Sequence, residues 1–245
     1  MVVAKALWVD CRNGVSGDML VGALLNLGAD FEFMKAGLAK LNLAGFEVVQ
    51  SVVEKAAGLA TDFDVILEDT MSLGNCNLEQ ILAVLEAADL SSYTKQLAAR
   101  IFRIAAEAGA EAHRTPLSDF HFHEKGALDS FADIVGLALC LESLGQPEVF
   151  FSDLYDGCGF MTLRNGRRLP VPVPAVRKIV DRYQLTLIET TIEGELVTPT
   201  GAAIVVGAGS RQPMPKDYQI IKTGIGNGKR AYNPDASLYI YSISY

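Results

Sequence analysis

Three short stretches place polar, charged or metal-binding groups where an otherwise apolar chain has little structural use for them. The first is Gly14-Val-Ser-Gly-Asp18. Ser16 precedes a run of apolar residues at helical spacing, and Gly17 lets other groups approach the backbone closely. The N–H groups of the first turn could therefore hold an anion, with Asp18 orienting a cation or a water beside them. The same residues also make a plain helix start, in which Ser16 caps and Asp18 complements the helix dipole. The second stretch is His121-Phe-His-Glu124, followed by Asp129, Ser130 and Asp133, and it holds two of the chain's three histidines. On extended backbone His121 and His123 point to one side, and on a helix Asp129 and Asp133 share a face. Glu124 adds a third carboxylate. Such a nitrogen and oxygen set suits Zn, Ni, Co or Mn. Ordinary hydrogen-bonded histidines at an acidic helix start are the alternative.

The third stretch is Glu195-Leu-Val-Thr-Pro-Thr-Gly201. Thr198 fits an N-cap, Pro199 the first helical position, and Thr200 and Gly201 the open first turn. Two hydroxyls and free backbone N–H groups there could also take a phosphate. Weaker signals remain. Gly224-Ile-Gly-Asn-Gly228 has the glycine density of a phosphate loop, but no helix pattern follows it, so a turn between strands is expected. No Walker loop, CxxC pair or GxSxG elbow occurs, which removes the usual nucleotide-loop, zinc-finger and serine-hydrolase readings.

The elements that must position these residues can be read from periodicity. Residues 2–9 form a buried strand, 19–27 a helix closed by Gly28, and 30–42 a second helix opened by Asp30. Strands are expected at 46–54 and 59–69, and helices at 78–88 and from Ser91 or Ser92 to about His113. A helix over 127–144 is apolar nearly all round and should be buried. Strands at 149–155 and 158–163 lead to Asn165-Gly166, a hairpin signal. The Leu169-Pro-Val-Pro-Val-Pro174 run is kept by its prolines out of helices and central strands. A short helix over 175–182, a strand at 185–190, a helix from Pro199 to about Gly207 and strands at 218–224 and 237–242 close the chain. The expected class is α/β (α+β mixed): one compact domain with a mixed sheet and packed helices.

The chain has 245 residues, half of them hydrophobic, and 21 basic against 29 acidic side chains, a net charge of −8. An acidic balance lacks the electrostatic term that dominates nucleic-acid binding, and no apolar run is long enough for a membrane span. Neither nucleic acid nor membrane is an expected partner. Four scattered cysteines and no leader-like start point to a cytoplasmic location with reduced thiols.

Taken together, Asp10-Cys-Arg-Asn-Gly-Val-Ser-Gly-Asp-Met19, the run from Phe120 through His121-Phe-His-Glu124 to Gly136, Leu169-Pro-Val-Pro-Val-Pro-Ala175 and Glu195-Leu-Val-Thr-Pro-Thr-Gly-Ala202 resemble the N-terminal region of the LarC nickel-insertion proteins. The resemblance runs in order across residues 1–245. It implies a cytoplasmic, CTP-dependent nickel insertase, a cyclometallase of the lyase class. Members place Ni(II) into pyridinium-3,5-bisthiocarboxylic acid mononucleotide and so complete the nickel pincer cofactor of lactate racemase. By the same resemblance, CTP with a divalent metal (Mg or Mn) acts through a C-terminal domain, the partner of this region. Homo-oligomerisation is left open. His121, His123 and Glu124, with Asp129 or Asp133, are then the metal candidates. Ser16, Gly17, Asp18, Thr198, Thr200 and Gly201 are the candidates for the phosphate side of a small anionic mononucleotide. The chain departs from the family at Arg12-Asn13, at Asn165-Gly166-Arg-Arg168, and in having no histidine-rich stretch. The alternative function is a non-catalytic metal- or cofactor-binding scaffold that positions a partner domain. A hydrolase using His123 and Asp129 to activate water ranks third.

Overall fold

A computed structural model describes residues 5–55, 58–67, 76–122, 124–162, 166–230, 232–233 and 236–245, with the backbone alone at 124–126. In chain order the elements are β1 (Lys5–Asp10), α1 (Gly17–Leu27), α2 (Phe31–Ala39), β2 (Phe46–Lys55), β3 (Gly58–Leu67), β4 (Cys76–Asn77) and α3 (Leu78–Ala87). Then follow α4 (Ser92–His113), β5 (His121–Phe122), α5 (Glu124–Ser143), β6 (Glu148–Phe151), β7 (Leu154–Cys158), β8 (Phe160–Thr162), β9 (Arg168–Pro170) and α6 (Pro174–Tyr183). The chain closes with β10 (Leu187–Glu193), α7 (Pro199–Ala208), β11 (Gln219–Asn227) and β12 (Ser237–Ser244).

Helix starts follow the local chemistry of the sequence. Asp30 accepts the N–H of Phe33 at 3.0 Å, Ser91 that of Thr94 at 3.1 Å, and Asn77 forms a reciprocal capping box with Gln80. Each satisfies a first-turn donor that the helix cannot. Gly28 ends α1 in the left-handed region, at φ +116°, a conformation that costs a residue with a Cβ.

Six strands form one mixed sheet in the order β2-β3-β11-β12-β1-β6. β12 runs antiparallel to both β11 and β1, while β6 is parallel to β1 and β11 meets β3 in parallel at Gly226 and Thr61. α1 lies on this sheet, and α5 packs beneath α1, α2 and α4. The apolar reading of α5 holds: Phe131, Ala132, Ile134, Val135, Leu137, Ala138, Leu139 and Cys140 are all buried. On the opposite face of the sheet Trp8 stacks on Tyr241, with Tyr218 tilted against it.

Two sequence expectations are corrected. Residues 149–155 form two strands in different sheets, because Ser152 turns the chain between them. Its N–H bonds to the Val9 carbonyl at 3.0 Å, and its hydroxyl accepts the Cys11 N–H at 2.9 Å. The glycines at 224 and 226 lie inside β11 rather than in a turn. A Cβ on Gly226 would come within 1.9 Å of the Met19 carbonyl oxygen, and one on Gly224 within 2.3 Å of the Ala23 carbonyl oxygen. These glycines let α1 lie directly on the strand. The hairpin expected around Asn165-Gly166 joins β8 to β9, although Asn165 itself is outside the described residues.

Among the described residues no helix is long and apolar enough to cross a membrane.

Candidate functional site

Two segments far apart in sequence are joined by a parallel bridge between Val15 and Val197. Val15 donates to the Leu196 carbonyl and Thr198 donates to that of Val15, both at 3.0 Å. This tie brings the N-termini of α1 and α7 side by side. They open on a cleft of about 590 Å³ whose walls include Ser16, Gly17, Asp18, Asp129, Asp133, Thr198 and Thr200. The structure thus gathers most of the residues singled out from sequence. Gly201 sits just behind the wall, against the Val15 carbonyl, where a Cβ would come within 2.3 Å.

The α1 end of the cleft is acidic. Ser16 does not cap its helix in the usual way: its hydroxyl donates to Asp18 Oδ1, which also accepts the Met19 N–H. Asp133 reaches from α5 and packs on Gly17, where a Cβ would lie 2.3 Å from its Oδ2. Burial, reinforced by the charges of Asp18 and Asp129 and opposed by Lys229, holds the Asp133 carboxyl well above the usual carboxylate range. Lys229 closes this end. Its ammonium donates to the Phe63 carbonyl at 2.7 Å and to Asp64 at 2.8 Å, and lies 3.8 Å from Asp18. Burial works against its charge, but Asp64, Asp18 and Asp62 outweigh it and the ammonium is held more firmly protonated. In turn the hydrogen bond from Lys229 lowers Asp64.

The α7 end is hydroxylic. Thr198 caps the helix by accepting the Gly201 N–H at 3.0 Å, and Pro199 has no N–H to give. That leaves Thr200 to offer a first-turn N–H together with its hydroxyl. The anion-binding capacity of this helix start is narrower than its sequence implies.

Between the two ends stands Glu195, buried at 6% exposure. Arg230 donates to its Oε2 at 2.9 Å, and the Tyr232 hydroxyl donates to its main-chain carbonyl at 2.6 Å. Burial pushes this carboxyl up to about 7, with Arg230 pulling it down and Asp156 pushing it further up. Asp156, on β7, is fully buried. Its Oδ1 accepts the N–H groups of Gly157 and Leu196 at 2.8 Å and of Val197 at 3.0 Å, whereas its Oδ2 has no hydrogen-bond partner among the described residues. Burial raises this carboxyl too, against those three bonds and Arg177. Asp156 therefore holds the 195–197 segment in the course that places Thr198 at the cleft.

Of the histidine stretch, His121 is the described histidine, and it stands apart from this cleft. His121 lies on β5, paired with Asn77 of β4; it is not among the residues lining the cleft, and its Nδ1 is buried with no hydrogen-bond partner among the described residues. His123 is outside the described residues, and Glu124 is the first residue of α5. Among the described residues, no three His, Cys, Asp or Glu side chains are grouped closely enough to hold a metal ion. Sequence reasoning missed Glu195, Arg230, Lys229 and Asp156 as site residues. Lys229 and Arg230 did leave a signal, as a cation pair directly after the glycine-dense stretch. A second cavity, of about 870 Å³, lies behind Glu195 and is lined also by Glu111, His113, Arg114, Lys178 and Pro199.

A model of the family described as "Nickel insertion protein" matches residues 7–240. Relatives named as pyridinium-3,5-bisthiocarboxylic acid mononucleotide nickel insertion proteins include one from Alkaliphilus metalliredigens. It is 40% identical over 93% of this chain and 58% of its own length. Another, from Lactiplantibacillus plantarum, is 36% identical over 92% of the chain and 58% of its own length. A putative nickel insertion protein of Dictyoglomus thermophilum is 38% identical over 97% of the chain and 60% of its length. The chain thus spans about three fifths of the relatives it matches. No solved structure gives a significant match.

Proposed function

Because the chain belongs to the nickel insertion protein family, we propose that its cleft binds a pyridinium mononucleotide and presents it to nickel. The observation that carries this reading is the opposed character of the cleft's two ends, set by the joined N-termini of α1 and α7. Thr198 and Thr200, with the backbone of α7's first turn behind them at Gly201, take the phosphate. Gly17 and Ser16 flank it. The cationic ring and the incoming Ni(II) lie toward Asp18 and Asp129, whose charge attracts cations, with the protonated Asp133 carboxyl beside them.

Nickel is here cargo rather than a resident ion. Two carboxylates are a weak hold for it, and the thiocarboxylic sulfurs named in the relatives' substrate supply the softer ligands that nickel accepts. His121, His123 and Glu124 are proposed as a staging set for the ion before it reaches the cleft. CTP with Mg or Mn, implied by the family resemblance, is assigned to a C-terminal domain, and no residue of the cleft is given to it.

The alternative reading is a scaffold that binds the mononucleotide for a partner domain to metallate. The lack of a three-ligand group among the described residues is the observation in its favour. Titration of the protein with Ni(II), with and without the mononucleotide, separates the two. Nickel binding that tightens about tenfold or more with the mononucleotide present, a coupling of about 1.4 kcal/mol or more, supports insertion here. It should fall in an Asp129→Asn/Asp133→Asn double variant. Mononucleotide binding with no effect on nickel supports the scaffold, and no mononucleotide binding at all refutes the cleft.

A further inference from the structure

The relatives' substrate carries thiocarboxylic acid arms at ring positions 3 and 5. A metal held by both arms lies against the one ring carbon between them, position 4, and that carbon carries a hydrogen. Seating nickel on the carbon breaks the C–H bond. Its electron pair becomes the Ni–C bond, nickel stays divalent, and the hydrogen leaves as a proton. No oxidant or reductant is needed, but a base is.

We propose that Glu195 is that base: the carboxylate that takes the proton displaced from the ring carbon and passes it to solvent through the second cavity. The proposal rests on the reading of the cleft as the mononucleotide site.

Three features of the fold single Glu195 out. Its position comes first: it forms part of the wall of the cleft and also of the cavity behind it. A proton taken on one side can therefore leave on the other without passing the substrate. Its hold is the second. Arg230 engages Oε2 at 2.9 Å and Tyr232 engages the main-chain carbonyl, and among the described residues no donor engages Oε1. Its surroundings are the third. The groups facing it are Arg230, which favours the carboxylate, and Asp156, which disfavours it, with the Tyr232 hydroxyl alongside. With burial, these place its proton affinity at about 7, where a carboxyl both accepts and releases a proton at neutral pH. The other acids of the cleft are less suited. Asp18 is engaged by Ser16, Met19 and Lys229, Asp64 is held ionised by Lys229, and Asp129 and Asp133 lie where nickel is proposed to sit.

The experiment measures single-turnover nickel insertion at saturating mononucleotide, with CTP present, alongside nickel-free mononucleotide binding. Glu195→Gln should bind the mononucleotide as wild type does and insert nickel about 100-fold or more slowly, the usual loss when a general base is removed. Glu195→Asp, which restores a carboxylate, should recover part of the rate. In wild type the rate should fall off below about pH 7, because only the carboxylate accepts a proton. Arg230→Met should move that fall to higher pH, since losing the cation raises the carboxyl further. Substrate deuterated at ring position 4 should react more slowly in wild type. Normal binding with an undiminished rate in Glu195→Gln overturns the proposal alone, and so does a pH limb that Arg230→Met leaves unmoved. Failure of wild type to bind the mononucleotide overturns the reading of the cleft and this proposal with it.

Discussion

Gly226→Ala tests the close packing of α1 on β11. The added methyl would lie 1.9 Å from the Met19 carbonyl oxygen and 2.8 Å from the Ala23 nitrogen. Both atoms belong to the backbone of α1, so neither can rotate aside. The helix as a whole must lift by more than an ångström to restore ordinary contact. Overpacking of this kind costs about 1–3 kcal/mol, and more where backbone meets backbone. Against it stands the ~0.5–1 kcal/mol that alanine gains over glycine inside a regular element. The net loss is about 2 kcal/mol. At about 2–4 °C per kcal/mol for a chain of this size, the melting temperature should fall by roughly 4–8 °C. Gly136→Ala is the internal control. It sits within α5, where the new methyl meets the Met34 sulfur at an ordinary 3.4 Å. Helix propensity should there raise stability by up to about 1 kcal/mol. Circular dichroism melts of the two variants should move in opposite directions. If Gly226→Ala melts at or above wild type, close approach of α1 is not the reason for glycine at that position.

Two further outcomes follow from the buried acids. Asp133 has a raised carboxyl in the folded chain, so the native state keeps a proton that the unfolded chain releases near pH 4. Its contribution to stability is full below that pH and is lost as pH rises toward its folded value. Asp133→Asn should therefore gain on wild type in thermal melts as pH rises above about 4; a difference constant with pH contradicts this. Asp156→Ala leaves three buried N–H donors without their acceptor, at about 1–3 kcal/mol for each unsatisfied group. Urea denaturation should show a loss of at least about 3 kcal/mol, with Asp156→Asn milder because it keeps an acceptor oxygen. Near-native stability of the alanine variant would show that Asp156 does not hold the 195–197 segment.

Much of the fold was legible because its signals are local. Asp30, Asn77, Ser91 and Thr198 each cap the helix that their neighbours announce, and the all-apolar face of α5 marks it as central. The misread places depend on distant partners. Nothing near residue 152 shows that Val9 and Cys11 will turn the chain there. Nothing near Gly226 shows that α1 will lie upon it. The site was half legible for the same reason. Ser16 and Thr198 advertise themselves at helix starts, and Asp129 and Asp133 share a helical face. Glu195 becomes a candidate only once Arg230, Tyr232 and Asp156 surround it, and in sequence it reads as an ordinary acid before a helix.

The place of β12 in the sheet bears on how the chain is made. This strand lies between β11 and β1, in the middle of the sheet, and more than two hundred residues separate it from β1. At about 5–20 residues per second, a ribosome takes roughly ten to fifty seconds to supply it. During that interval β1 has its hydrogen-bonding edge toward β12 open, and its apolar Ala6, Leu7 and Val9 wait for cover. The long-range Val15–Val197 tie must also wait for α7's segment to emerge. The nascent chain therefore passes through a stage exposed to aggregation, and the cleft forms only after the α7 segment has emerged. Chaperone demand during synthesis, rather than the stability of the finished fold, is then expected to limit the yield of this protein in a foreign host.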